Sequence, residues 1–72
     1  MTIYILFAYG RMAVNGVQRT IADKTAYRNE KAALEHREEF IEKLTKPKDE
    51  RDLNYLKEDS LNVYVEHITL VD

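Results

Sequence analysis

The sequence predicts a small α+β domain: a three-stranded antiparallel sheet of ββαβ order, with one main helix packed on one face. Three observations carry this. Residues 3–9 are an unbroken apolar and aromatic run, followed by Asn15-Gly16 between Val14 and Val17. Ala33, Leu34, Phe40, Ile41 and Leu44 recur at helical spacing. Residues 61–71 close the chain with β-branched, alternating character.

The first strand dominates because it has no polar side. Asn-Gly between apolar neighbours favours a two-residue type I′ turn, whose central residues both need φ > 0. That turn pairs Val14 with Val17, Met12 with Arg19, Leu6 with Thr25 and Tyr4 with Tyr27, a hairpin over about residues 3–28. One face then carries Tyr4, Leu6, Ala8, Met12 and Val14, with Val17, Ile21 and Tyr27 across from them. The other carries Ile3, Ile5, Phe7, Tyr9 and Ala13, with Ala22 and Ala26 across. Strands of this length usually break, and Gly10 is the expected bulge, leaving residues 11–19 as a projecting arm. The competing reading for residues 23–28 is an early helix capped by Asp23. Against it, Thr25, Tyr27 and Asn29 are mediocre helix formers, and Asn29 is itself a good N-cap.

A helix over about residues 30–45 follows. Asn29 caps it, Glu30 suits the positive end of its dipole, and Lys43 and Lys46 suit the negative end. Lys46-Pro47 stops it. Glu35, Glu38, Glu39 and Glu42 face outward, with Glu39 placed to pair with Lys43. Arg37 falls near the middle of the apolar stripe. Either its stem lies along apolar surface with the guanidinium reaching a carboxylate such as Glu66, or it forms a buried pair at an interface.

Residues 46–60 form a charged connector, with two readings: a mobile link, or one or two helical turns capped by Asp49 with Leu53 and Leu56 as the apolar pair. The last strand, about residues 61–71, slips its alternation at Glu66-His67. A bulge there, or burial of both faces, reconciles Leu61, Val63 and Val65 with Ile68 and Leu70. Its expected partner is the first strand, which becomes central.

At 72 residues the chain reads as one domain spanning 1–72, near the lower limit for a core that stands alone. It has no cysteine, so disulfides and Cys-based zinc sites are excluded, and its histidines, His36 and His67, cannot alone build a structural metal site. The run from Ile3 to Gly10 is too short to span a membrane and lacks the flanks of a secretory signal, so the expected location is the cytoplasm. Residues 1–31 carry a net charge of +3 and residues 32–72 a net of −5. That separation of sign can steer a partner.

No catalytic constellation is visible, and no cofactor is expected. Ser60 is the only serine and has no His and acid placed beside it, there is no Gly-rich phosphate loop, and Glu66 and His67 point to opposite faces of a strand. His36 and Glu39 have a spacing that can hold a metal but supply too few ligands. An enzyme is not expected. Nucleic-acid binding is the second reading: a two-stranded ribbon fits a major groove, and Arg11, Arg19, Lys24 and Arg28 lie on the hairpin, with Tyr9 and Tyr27 as stacking surface. The sequence pI of about 5.6 opposes it.

The first reading is protein binding. One helix shields one sheet face, which leaves Ile3, Ile5, Phe7 and Tyr9, or else the face with Met12, as a contact surface, with Arg37 as a further interface candidate. Self-association as a homodimer, face to face or by strand edges, is the simplest cover. The opposing expectation is that Leu53, Tyr55 and Leu56 fold back over that face.

The order strand–turn–strand, then Tyr27, Asn29, Glu30 and Ala32-Ala33 entering a helix, then a final strand, resembles small uncharacterised proteins of bacteria and their phages. The likeness covers the whole chain in layout and size and includes no functional motif. It implies a phage-encoded modulator or inhibitor that binds a host protein in the host cytoplasm, and it assigns no site residue.

Overall fold

The computed structural model describes residues 1–71. It contains one antiparallel sheet of β1 (Thr2–Arg11), β2 (Gln18–Tyr27) and β3 (Asn62–Thr69), in spatial order β2-β1-β3. Between β2 and β3 lie α1 (Glu30–Glu35), α2 (Arg37–Thr45) and a 3₁₀ turn at Glu58–Ser60. The strand without a polar side takes the middle position, where both of its edges are paired. Residues 23–27 belong to β2, so the early-helix alternative does not hold.

The turn differs from expectation. Gly16 has φ 71°, but Asn15 does not have positive φ, so the type I′ turn is absent. Instead Met12 N–H donates to the Val17 carbonyl at 2.9 Å, and Gly16 N–H to the Met12 carbonyl at 2.8 Å. Residues 13–16 form the loop, and the Asn15 side chain accepts from Val17 N–H at 2.9 Å. The reason is tertiary. Ala13 N–H donates to the Tyr55 carbonyl, and Lys57 N–H to the Arg11 carbonyl, each at 2.8 Å. The end of β1 is thus tied to the connector instead of extending as a free arm.

Pairing near the open end is as expected, with Tyr4 opposite Tyr27 and Ile5 opposite Ala26. Beyond it the register shifts by two residues: Phe7 lies opposite Ala22 and Gly10 opposite Arg19. Leu6 therefore faces the segment Asp23-Lys24-Thr25, and the irregularity sits there on β2 instead of at Gly10. The Asp23 carboxylate accepts from Thr25 N–H at 3.2 Å, a local bond that supplies what the ladder has lost there. The expected pairs Leu6–Thr25, Met12–Arg19 and Val14–Val17 are not formed. The β1–β3 ladder, in contrast, is unbroken from Thr2–Thr69 to Tyr9–Asn62, so no bulge occurs at Glu66-His67.

The expected single helix is interrupted. Asn29 caps α1 through a 2.8 Å bond from Ala32 N–H. His36 then leaves helical geometry (φ −99°, ψ 5°) and serves as the C-cap of α1 and the N-cap of α2. Its ring stacks on Tyr27, with centroids 5.0 Å apart. Its Nδ1 lies 2.9 Å from the Ala32 carbonyl oxygen, which can only accept, so Nδ1 carries the proton. The break rephases the helical segment: Ala33 and Phe40 are buried while Leu34 is exposed.

The connector is neither a helix nor a free link. Asp49 and Asp52 fold its first part on side-chain bonds: Arg51 N–H to Asp49 at 2.8 Å, Lys48 N–H to Asp52 at 2.8 Å and Asn54 N–H to Asp52 at 2.9 Å. The bonds from Lys48 and Asn54 hold the Asp52 carboxyl below its ordinary range. Leu56 then bridges Met12, and its N–H donates to the Leu44 carbonyl at 2.8 Å. The buried cluster consists of Leu6, Ala8 and Met12 from β1, Ala33 from α1, Phe40 from α2 and Leu56 from the connector. Tyr4, Ile21, Tyr27, Leu44, Leu61, Val63 and Val65 pack around it.

Candidate protein-contact surface

Alternation along β1 sorts its side chains into two sets. The even set, Leu6, Ala8 and Met12, supplies the buried cluster. The odd set, Ile3, Ile5, Phe7 and Tyr9, contributes nothing to it. Ile3, Ile5 and Phe7 are half-buried by their strand neighbours and Tyr9 is exposed. Register places Ala22 and Ala26 of β2 beside Phe7 and Ile5. It places Tyr64 and Ile68 of β3 beside Phe7 and Ile3.

Tyr64 and Ile68 keep 37% and 43% of their surface exposed. The Phe7 and Tyr64 rings stack at 5.6 Å with an interplanar angle of 9°, and the Tyr9 hydroxyl donates to Gln18. The result is an apolar, aromatic stripe over all three strands, broken on β3 by the exposed Glu66, which the register sets beside Ile5. The sequence does not single out Tyr64 and Ile68, because the slip at Glu66-His67 leaves a bulge and burial of both faces equally open; the unbroken ladder puts them here directly.

The other candidates sit elsewhere. Met12 is 6% exposed within the core and has no surface to offer a partner. Arg37 is not in an apolar stripe: its side chain is 42% exposed, and its guanidinium lies 3.4 Å from Glu38, not at Glu66. Leu56, expected over the open stripe, packs with the even set instead. The four hairpin cations do not converge. Arg11 lies opposite Gln18 and Arg19 opposite Gly10, adjacent pairs whose side chains alternate between faces; Lys24 is in the β2 irregularity and Arg28 lies just past β2.

One polar cleft brings the titratable groups Asp23, Tyr27, His36, Glu39 and Lys43 together, with Thr25 beside them. Tyr27 donates to Asp23 at 3.2 Å. Burial, then the Asp23 charge and hydrogen bond, push the Tyr27 hydroxyl above its ordinary pKa. That makes it a poorer acid and a worse nucleophile at neutral pH. Ser60 is also committed: its hydroxyl accepts from Arg11 N–H at 3.0 Å and donates to the Lys57 carbonyl at 2.8 Å.

Among the described residues, no group of His, Asp or Glu is arranged to hold a metal ion. No helix among them is long and apolar enough to cross a membrane. No family model matches this chain, and neither a curated protein nor a solved structure matches it.

Proposed function

We propose that this chain is a non-enzymatic protein-binding module that self-associates and presents the stripe of Ile3, Ile5, Phe7, Tyr9, Tyr64 and Ile68 to a partner. One observation carries the reading: the helices and the connector contribute their buried residues to the even set of β1, and the odd set receives none. On this reading the helices roof one sheet face and the other stays open. An apolar patch of this extent, with one carboxylate (Glu66) at its β3 side, is uncommon on a protein without partners. The layout resemblance extends the proposal to a modulator of a host protein, working in the host cytoplasm.

Photo-cross-linking in a bacterial cytoplasm tests this. A benzophenone side chain at position 7 or 64 is expected to give discrete protein adducts, and one at the exposed position 34 on α1 to give none. Adducts with nucleic acid from positions 7 and 64 would instead support the alternative of a nucleic-acid-binding regulator. The absence of any adduct from the stripe would refute the proposal.

A further inference from the structure

The two outer edges of the sheet are unlike each other, and the difference selects how a second copy would attach. β2 runs straight only from Gln18 to Ala22 before the register shift, its edge carries Lys24, and the Thr25 N–H is already taken by Asp23. Irregularity, a lysine and an occupied donor are the usual means by which a strand edge is kept from pairing. β3 has none of them. Its ladder with β1 is continuous over Asn62–Thr69, and it contains neither proline nor glycine.

The free groups on β3 follow from the pairing. Leu70 N–H donates to the Met1 carbonyl at 2.7 Å, and antiparallel strands exchange such bonds at every second position. Positions 62, 64, 66 and 68 thus turn their backbone groups toward β1. Val63, Val65, His67 and Thr69 turn theirs outward, and among the described residues no hydrogen bond reaches them there.

We propose that a second copy of this chain pairs antiparallel along this edge, β3 against β3, about a two-fold axis at Val65. The inference rests on the reading that the chain self-associates, and it names the surface. A two-fold axis perpendicular to the sheet sets residues of the same face opposite one another, so paired positions must share parity. Two registers then use nearly all of the edge, centred on Val65 or on Glu66. Centring on Glu66 sets two carboxylates directly opposite in the closest kind of pair, about 4.5 Å between Cα atoms, which is unfavourable. Centring on Val65 sets Val63 opposite His67 and Tyr64 opposite Glu66, with no like charges facing. The six-stranded sheet ends in β2 on both sides, so growth stops at two copies. Both apolar stripes lie on the same face of it and become one surface.

Cysteine cross-linking and sedimentation test the register, in a chain with no cysteine of its own. Val65→Cys should form a disulfide dimer under mild oxidation, since Cα atoms in such a pair are about 5.5 Å apart. Glu66→Cys should not, because its Cα atoms would be about 8 Å apart; cross-linking at 66 and not at 65 overturns the register. Val65→Pro removes an outward N–H and leaves the bonds of the inner ladder in place; it also trims packing against the buried cluster, so a thermal melt checks that the variant is folded, with Val65→Ala as the control for the lost side chain.

Sedimentation equilibrium should give about twice the monomer mass for the parent chain and for Ile5→Asp, and the monomer for Val65→Pro. A dimer that survives Val65→Pro and is lost in Ile5→Asp overturns edge pairing while leaving self-association standing, through the face. A parent chain that is monomeric at every concentration overturns both, while the stripe's cross-links still report on partner binding independently.

Discussion

Leu56→Ala is the most informative single change, because two opposed accounts of the connector assign Leu56 different neighbours. In the structure its side chain is 0% exposed, it bridges Met12, and its backbone ties the connector to the end of α2. Truncation removes three buried carbons from the cluster that Leu56 shares with Met12 and Phe40, for which a loss of about 3 kcal/mol is typical. A chain of 72 residues has a total stability of about 4–11 kcal/mol at ordinary per-residue values, so the variant forfeits a large share of it.

With a urea slope of about 1 kcal/mol/M for so small a domain, the midpoint should fall by about 3 M. Leu53, three residues earlier and 48% exposed, is the control: Leu53→Ala should stay within about 0.5 kcal/mol of the parent. Urea titrations followed by circular dichroism measure both. If Leu56→Ala shifts the midpoint no more than Leu53→Ala, the connector does not close the core, and the argument that the odd set of β1 is left uncovered fails with it.

Three further outcomes are expected. Asn29→Ala removes the acceptor of the Ala32 N–H bond and should cost about 1 kcal/mol, readable in a thermal melt, whereas Asn29→Asp should cost much less. Gly16→Ala meets no atom within 4 Å, so its cost is purely conformational at φ +71°, about 1 kcal/mol; a stabilised variant would contradict the loop geometry. The Tyr27 hydroxyl should titrate above the ordinary tyrosine value of 10.0 in an ultraviolet pH titration, and Asp23→Asn should bring it down. Because the folded-state pKa is the raised one, the group's contribution to stability is fully present below pH 10 and is lost as pH rises through the folded value. A Tyr27 that titrates at or below 10 would refute the placement of Asp23.

Much of the architecture was legible because it depends on period and composition. The apolar run of β1 forced it to the centre, alternation sorted Leu6 and Ala8 onto one face and Ile5 and Phe7 onto the other without saying which is buried, and Asn29 marked a helix start. What was not legible depends on partners distant in sequence. Asn-Gly favours a tight turn by local preference alone, but the backbone bonds of Arg11 and Ala13 to Lys57 and Tyr55 secure β1 at the connector, and a wider loop results. The break at His36 likewise answers to Tyr27, on a different element. Leu56 looked no different in sequence from Leu53; only the position of Met12 distinguishes them.

The extra length in β2 separates two properties that usually travel together. Inserting one residue would have turned Ile21 away from the core and Ala22 toward it, because side chains alternate with a period of two. Inserting two leaves both faces as alternation sets them: Ala22 and Ala26 stay beside Phe7 and Ile5, and Ile21 and Tyr27 stay against the buried cluster. What the insertion destroys is the straightness of the outer edge at Asp23-Lys24-Thr25. A sheet this small can therefore keep an apolar face without also having two regular, sticky edges. On the proposed edge pairing, the single regular edge that remains, on β3, takes one neighbour and leaves none for a third.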